Sequence, residues 1–483
     1  MFIKKPLWEQ MEKYWQQMVY PFHTPGHKGG RGAAPELRDI LGPKALSMDV
    51  SLMDELDDLH HPSRCLKEAQ ELAANLYGAD KSYFSVNGTT GAIHAMLLGA
   101  LKPQDKILVP RNSHSSVIGG LILGDFRPVY IMPEYSQKWG LSLQVSPEQI
   151  DMALGRNQDI KAVLITSPNY YGLCTDVEAI SKVCHRHGVV LLVDEAHGAH
   201  LGFSELLPPS ALSCGADAVS QSTHKILGAL TQCSMLHITF THLDETRMDK
   251  AMSLVTTTSP NYLLLASLDL ARAQLEEKGT SMVEAAIDAA DTLRDALSTV
   301  PYIRVLNEEL VGEGGVVAMD KTKVTVNVTA LGISGKEVGD ILRKAGIAVE
   351  LVDQNNVLFL VTYADQQEAY DSVVDKIVDV FQSLSNDPKE ALPLIGKKLP
   401  TPLPVITPAK AFYSSSEEVD FKMAVGEISA EQISFYPPGI PIIVPGERIT
   451  SEVIDYCLNM MKIGVAVSGP SDTTLQRVRV VKL

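Results

Sequence analysis

From about residue 80 to residue 235, short apolar runs alternate with longer amphipathic stretches. Runs 82–86, 107–109, 129–132, 162–166 and 189–193 have strand length, and each closes on Gly, Pro or small polar residues. Five or six such strand-tip-helix units predict a mostly parallel, doubly wound α/β sheet. Upstream, Leu7, Met11, Tyr14, Trp15 and Met18 predict a helix over 7–19. Leu66, Ala69, Leu72, Ala73 and Leu76 predict another over 63–77, ended by Gly78. The acidic stretch 54–61 between them reads as a solvated turn. Past 235 the rhythm changes. A strand region over 228–237 leads to helices near 262–275 and 280–298, with Leu264, Leu265, Leu268, Leu270 and Ala271 on one face. Strands 323–328, 348–352 and 357–361 with helices 336–344 and 367–384 then form a compact α+β module. Six prolines between 388 and 408 predict an extended linker, and Thr450 caps a helix over 451–462. The expected domains are an N-terminal segment 1–40, a large domain 41–280, a small domain 281–385, and a linker with C-terminal domain over 386–483.

At 483 residues, several domains and a large core are within reach. A net charge of −16 argues against a nucleic-acid partner. Six cysteines without a C-x-x-C pair suit a reducing, cytoplasmic setting better than disulfides or structural zinc. The N-terminus lacks the apolar core of a signal peptide, and no apolar run approaches the roughly 20 residues of a membrane helix.

The chemistry collects at the strand tips. The run ending at Val219 is followed by Ser220-Gln221-Ser222-Thr223-His224-Lys225, and the run ending at Val193 by Asp194-Glu195-Ala196-His197-Gly198-Ala199-His200. Ligands of open α/β sheets sit beyond the carboxyl ends of the strands. A lysine and an aspartate arriving there are the two groups pyridoxal phosphate needs, an amine for its aldehyde and a carboxylate for its ring nitrogen. Asn87-Gly88-Thr89-Thr90-Gly91, between a strand and a helix, reads either as an anion site or as a simple helix cap. His114 is either a neighbour of a helix cap or a ring that stacks on a flat cofactor. His23 with His27, and Asp194 with His197 and His200, have the donors of a metal site. Pro25 and Gly26 disfavour a shared helix face in the first, and crowding into one loop counts against the second, so no metal is expected. The run 435–447 is stiffened by prolines and ends in Glu447, a fixed carboxylate or a surface turn before a helix.

FHTPGHKGG at 22–30, LDDLHHP at 56–62, NGTT at 87–90, DEAHGAH at 194–200, SQSTHK at 220–225 and YPPGIPIIVPGE at 436–447 stand in one order. Together they resemble the Orn/Lys/Arg decarboxylases, pyridoxal-phosphate enzymes of the aspartate-aminotransferase fold (fold type I), from about residue 20 to the C-terminus. The resemblance implies that Lys225 carries the cofactor, that Asp194 keeps its ring nitrogen protonated, and that Thr89, Thr90 and Ser222 bind its phosphate. It further implies that His114 stacks on the ring, with His197 and His224 around the reacting end. The Thr256-Thr257-Thr258 turn resembles the segment that reaches a neighbouring subunit's phosphate, which implies a homodimer with its active site at the interface, and leaves a higher oligomer open. Glu447 is implied as the partner of a basic amino acid's distal cation. The large acid-induced members begin with an additional domain that this chain is expected to lack, so their ring assemblies are not expected here. The favoured activity is decarboxylation of arginine, with lysine or ornithine as other substrates. The alternatives are a transaminase or lyase on the same fold, or a non-catalytic homologue.

Overall fold

The computed structural model describes residues 3–365, 369–392, 399–436, 440–462 and 464–482. Gln367, where the helix over 367–384 was expected to start, lies outside them, as do the linker residues 393–398 and Pro437, Pro438 and Gly439 of the Pro-rich motif.

The alternation at 80–235 becomes seven strands: β1 Lys81–Ser85, β2 Lys106–Pro110, β3 Arg127–Ile131, β4 Ile160–Thr166, β5 Val190–Asp194, β6 Ala218–Gln221 and β7 Ser234–Ile238. They lie in the order β1-β7-β6-β5-β4-β2-β3. β2 runs parallel to β3 and β4, and β7 is antiparallel to both β1 and β6. The sheet is thus mostly parallel, as the pattern predicts, with one reversed strand. By packing, the chain forms two compact units. One holds residues 1–100, 193–204 and 209–281; the other holds 101–192, 205–208 and 282–483.

In the first unit, helix Pro6–Gln16 buries Leu7, Met11 and Tyr14 against Leu66, Phe84, Tyr262 and Leu265. Residues 54–61 are not a solvated turn. Asp57 is buried at a φ of 71°, and its carboxylate accepts the N–H groups of Ser63 (2.9 Å), Arg64 (2.6 Å) and Leu66 (3.1 Å). It therefore satisfies the open amides at the start of helix Cys65–Tyr77. Burial pushes the Asp57 carboxyl up, but these N–H groups outweigh it and hold it below the usual carboxylate range. The two helices expected at 262–275 and 280–298 are one, Tyr262–Ser298. Gly279 does not break it. A Cβ there would sit 2.7 Å from the Phe203 ring, so the glycine serves close packing rather than a turn.

In the second unit, strands Arg304–Val305, Lys323–Asn327, Asn356–Leu360 and Leu351–Val352 form an antiparallel sheet. Helices Gly335–Lys344 and Tyr370–Ser385 cover it through Val338, Leu342, Ile377 and Phe381. A C-terminal cluster gathers Phe421, Ile433, Phe435, Ile443, Cys457 and Val478. The six cysteines form no disulfide and none is exposed. Burial pushes Cys65 up to about 11 and Cys457 up to about 12.

Candidate active site

β6 ends at Gln221, and Ser222 then starts the single helical turn Thr223–Ile226, which carries His224 and Lys225. Lys225 Nζ lies 3.0 Å from His197 Nε2. His197 belongs to the turn that follows β5, whose last residue, Asp194, is buried and accepts the Ala196 N–H at 3.2 Å. Ser222 Oγ hydrogen-bonds Thr89 Oγ1. The NGTT segment is no separate turn: helix Gly88–Ala100 already includes Thr89 and Thr90, so both stand in a first turn whose amides lack partners within the helix. Thr89 is buried and Thr90 exposed. His224 Nδ1 faces the Cys233 carbonyl at 2.7 Å; a carbonyl only accepts, so this nitrogen carries the hydrogen.

One compact unit thus holds an amine, a buried carboxylate, a hydroxyl pair and a helix N-terminus. That donor set suits an aldehyde, a pyridinium nitrogen and a phosphate respectively, and therefore fits pyridoxal phosphate.

Behind Asp194 runs a chain that sequence reasoning did not find. Glu195 is 1% exposed and accepts the Ala211 N–H and Gln221 Nε2, each at 2.7 Å. Gln221 Oε1 lies 3.1 Å from His237 Nε2, and His237 Nδ1 lies 2.6 Å from Ser82 Oγ. Burial pushes Glu195 up to about 8, with Asp194 adding to the effect against the pull of its two donors. Burial also pushes His237 down to about 3, so the ring is neutral. Tyr77 packs over that ring at 4.3 Å and donates to the Ala199 carbonyl at 3.1 Å. The available signal was polar residues inside otherwise apolar strands: Ser82 and His237 are opposed across β1 and β7.

Thr257 and Thr258 are exposed. Thr257 Oγ1 accepts the Ser259 N–H, and its carbonyl accepts His60 Nε2 at 2.9 Å, while His60 Nδ1 lies 2.7 Å from Ser253 Oγ. Within this chain the Thr257 hydrogen bonds stay among the turn and His60, and do not reach Lys225.

The other two expected residues belong to the second unit. His114 is itself the N-cap of helix Ser115–Gly124, its Nδ1 accepting the Ser116 N–H at 3.2 Å. Glu447 departs from the expectation of an open carboxylate. It is buried, 3.1 Å from Arg111 Nη2, and accepts the Val444 N–H at 2.9 Å. Arg111 also donates to the carbonyls of Pro441 (2.7 Å) and Ile442 (3.0 Å). Burial pushes Glu447 up, while Arg111 and the Val444 amide pull it back down. Gly446 holds a φ of 91° where a Cβ would collide with the Ile406 carbonyl, so this turn requires glycine.

Comparison with known proteins agrees with this chemistry. The pattern of the Orn/Lys/Arg decarboxylase major domain matches residues 5–369, and that of the Orn/Lys/Arg decarboxylase C-terminal domain matches 397–471. An arginine decarboxylase of Bacillus subtilis is 39% identical over 484 residues, spanning 99% of this chain and 98% of that protein. A lysine decarboxylase of Pseudomonas aeruginosa is 26% identical, over 93% of this chain and 75% of that protein. The crystal structure of the Francisella novicida lysine decarboxylase superposes with a TM-score of 0.84 at 24% identity, covering 99% of this chain and 81% of that one.

Proposed function

Because the chain belongs to the Orn/Lys/Arg decarboxylase family, fold type I enzymes that use pyridoxal phosphate to decarboxylate basic amino acids, we propose that its own substrate is arginine and its product agmatine, an amine of polyamine formation. What supports arginine over lysine is the Bacillus arginine decarboxylases, 38–39% identical over nearly their whole length, against 25–26% for the lysine decarboxylases. Lysine to cadaverine is the second reading.

The observation that carries the mechanism is the Lys225–His197 contact at 3.0 Å beside the buried Asp194. When bound, the cofactor supplies an electron sink for the pair left on Cα as CO2 departs. In our reading Lys225 Nζ would hold the cofactor, and His197 Nε2 would exchange a proton with the lysine amine. Asp194 would pair with the ring nitrogen, and Thr89, Thr90 and Ser222 would hold the phosphate. His114 would stack on the ring, and Lys225 or His224 would return a proton to Cα. Fixing the substrate's far end would aim its carboxylate, which gains rate through orientation. Since Glu447 already has Arg111 as its cation, it would have to share that partner to serve this end.

We also read the enzyme as a cytoplasmic homodimer in which Thr257 and Thr258 complete the neighbour's phosphate site, a higher oligomer remaining open. Support comes from the exposure of Met18 (88%), Tyr20 (66%) and Phe22 (91%), with the Tyr20 and Phe22 rings 5.2 Å apart. Among the described residues no helix is long and apolar enough to cross a membrane. We keep the domain limits 41–280, 281–385 and 386–483 as our division by role.

The test is amine formation from arginine, lysine, ornithine and glutamate, supplied separately with pyridoxal phosphate, beside Lys225→Ala. We expect arginine to be turned over and the variant to lose at least about a thousandfold in kcat. Turnover of lysine alone would move the substrate assignment. Turnover of none of the four would overturn it.

A further inference from the structure

The buried chain behind Asp194 has a direction. A carboxylate at Glu195 only accepts, so Gln221 must turn its Nε2 toward it and its Oε1 toward His237. His237 then has to donate from Nε2, which leaves Nδ1 to accept the hydroxyl hydrogen of Ser82. Every member is within 2% of complete burial, so no bulk water can replace a lost partner. Strand register puts the members on one face: Ser82 is opposite His237, and Gln221 is opposite Met235, two residues from His237 on the same strand.

The chain ends inside the turn that matters. Glu195 lies between Asp194 and His197, its N–H bonds the Ser220 carbonyl at 3.0 Å, and its carbonyl accepts the Gly198 N–H at 2.9 Å. Tyr77, packed on the His237 ring, holds the far side of the same turn through the Ala199 carbonyl. We infer that Ser82–His237–Gln221–Glu195 is a positioning relay that fixes the turn bearing Asp194 and His197, and so sets how firmly the cofactor ring is gripped. This inference rests on the reading of Asp194 as the partner of the ring nitrogen.

The relay has a second state. With a proton on Glu195, Gln221 turns over, its Nε2 donates to His237 Nε2, and His237 donates from Nδ1 to Ser82 Oγ. Every bond is kept with its direction reversed. The titratable groups that bear on Glu195 are Asp194 on its own turn, Tyr77 from helix Cys65–Tyr77 and, through Gln221, His237 from β7. Since burial holds Glu195 near 8, both states are reached between pH 6.5 and 9. The charged state adds a second negative charge next to Asp194 and should strengthen the hold on a pyridinium. Glu195→Gln fixes the reversed direction, because its amide donates where the carboxylate accepted.

The experiment measures the dissociation constant for pyridoxal phosphate on refilling the apo-protein at pH 6.5 and 9, with thermal melts of the same samples. For Glu195→Gln we expect wild-type affinity at pH 6.5 and about tenfold weaker binding at pH 9. For His237→Ala we expect about tenfold weaker binding at both pH values, restored to within about threefold by His237→Gln, whose amide can donate to Gln221. Ser82→Ala, a smaller change at the far end, gives the same reading if His237→Ala does not fold, with about threefold weakening. A merely structural chain would lower the melts of His237→Ala or Ser82→Ala and leave affinity and its pH course unchanged in these variants and in Glu195→Gln; that result overturns the relay. Asp194→Asn separates the two readings. If it binds as tightly as wild type, the ring-nitrogen assignment fails on its own account.

Discussion

Glu195 and Glu447 are both buried glutamates at the ends of turns, and burial pushes both up. Their partners set them apart. Glu195 is held only by neutral donors, an amide side chain and a backbone N–H, so its charge is solvated by dipoles and it titrates near neutrality. Glu447 faces a guanidinium that also grips two backbone carbonyls, so the pair is neutral as a unit and ties residues 441–447 to the end of β2. Neutral donors leave a carboxylate able to change state; a matched cation turns it into a fastening.

The largest effect should come from separating the fastened pair. Arg111→Ala strands a buried carboxylate and should cost about 3–5 kcal/mol in chemical denaturation, whereas Arg111→Met with Glu447→Met should fall well below the sum of the single changes. If the double variant costs as much as the sum, Glu447 is not fastened by Arg111 and the contrast collapses.

A smaller effect tests the other side. The folded value for Glu195, about 8, lies above its ordinary 4.5, so the folded state binds the extra proton and is favoured at low pH. That advantage is lost as pH rises from 4.5 through 8. Glu195→Gln, which has no charge to bury, should therefore match wild type near pH 5 and exceed it by something on the order of 3 kcal/mol at pH 9. Equal pH slopes in urea unfolding would contradict this.

Asp57 supplies the mildest case, a carboxylate held by backbone N–H groups and the Ser63 hydroxyl and kept below 3.8. Its contribution is present above that pH and disappears as pH falls through the folded value. Asp57→Asn should cost about 1–2 kcal/mol at pH 7 and less at about pH 3, below the ordinary carboxylate value. Guanidinium titrations at the two pH values would show it.

Much of this architecture was legible because strands and helices write their own periods. Each central strand was located to within a few residues, and Lys225, Asp194, Thr89 and Ser222 were readable as groups delivered at strand ends. The failures share a cause: each depended on a contact the local pattern does not carry. The two helices expected at 262–275 and 280–298 join through Gly279, whose missing Cβ leaves room for Phe203. Asp57 looked solvated because the amides it caps lie in the next element. Glu447 looked available because its cation stands 336 positions away. Ser82 and His237 stand at the ends of expected strands and Gln221 in the segment after Val219, and only strand register turns them into a chain.

The six thiols carry a practical consequence for handling. A thiol reacts as its anion, and burial keeps Cys65, Cys233 and Cys457 protonated at neutral pH, with Cys233 and Cys457 also shielded from reagents. A single cysteine placed on an open surface, at Leu254 for example, should therefore outcompete these three for a maleimide, giving a handle for fluorophores or spin labels.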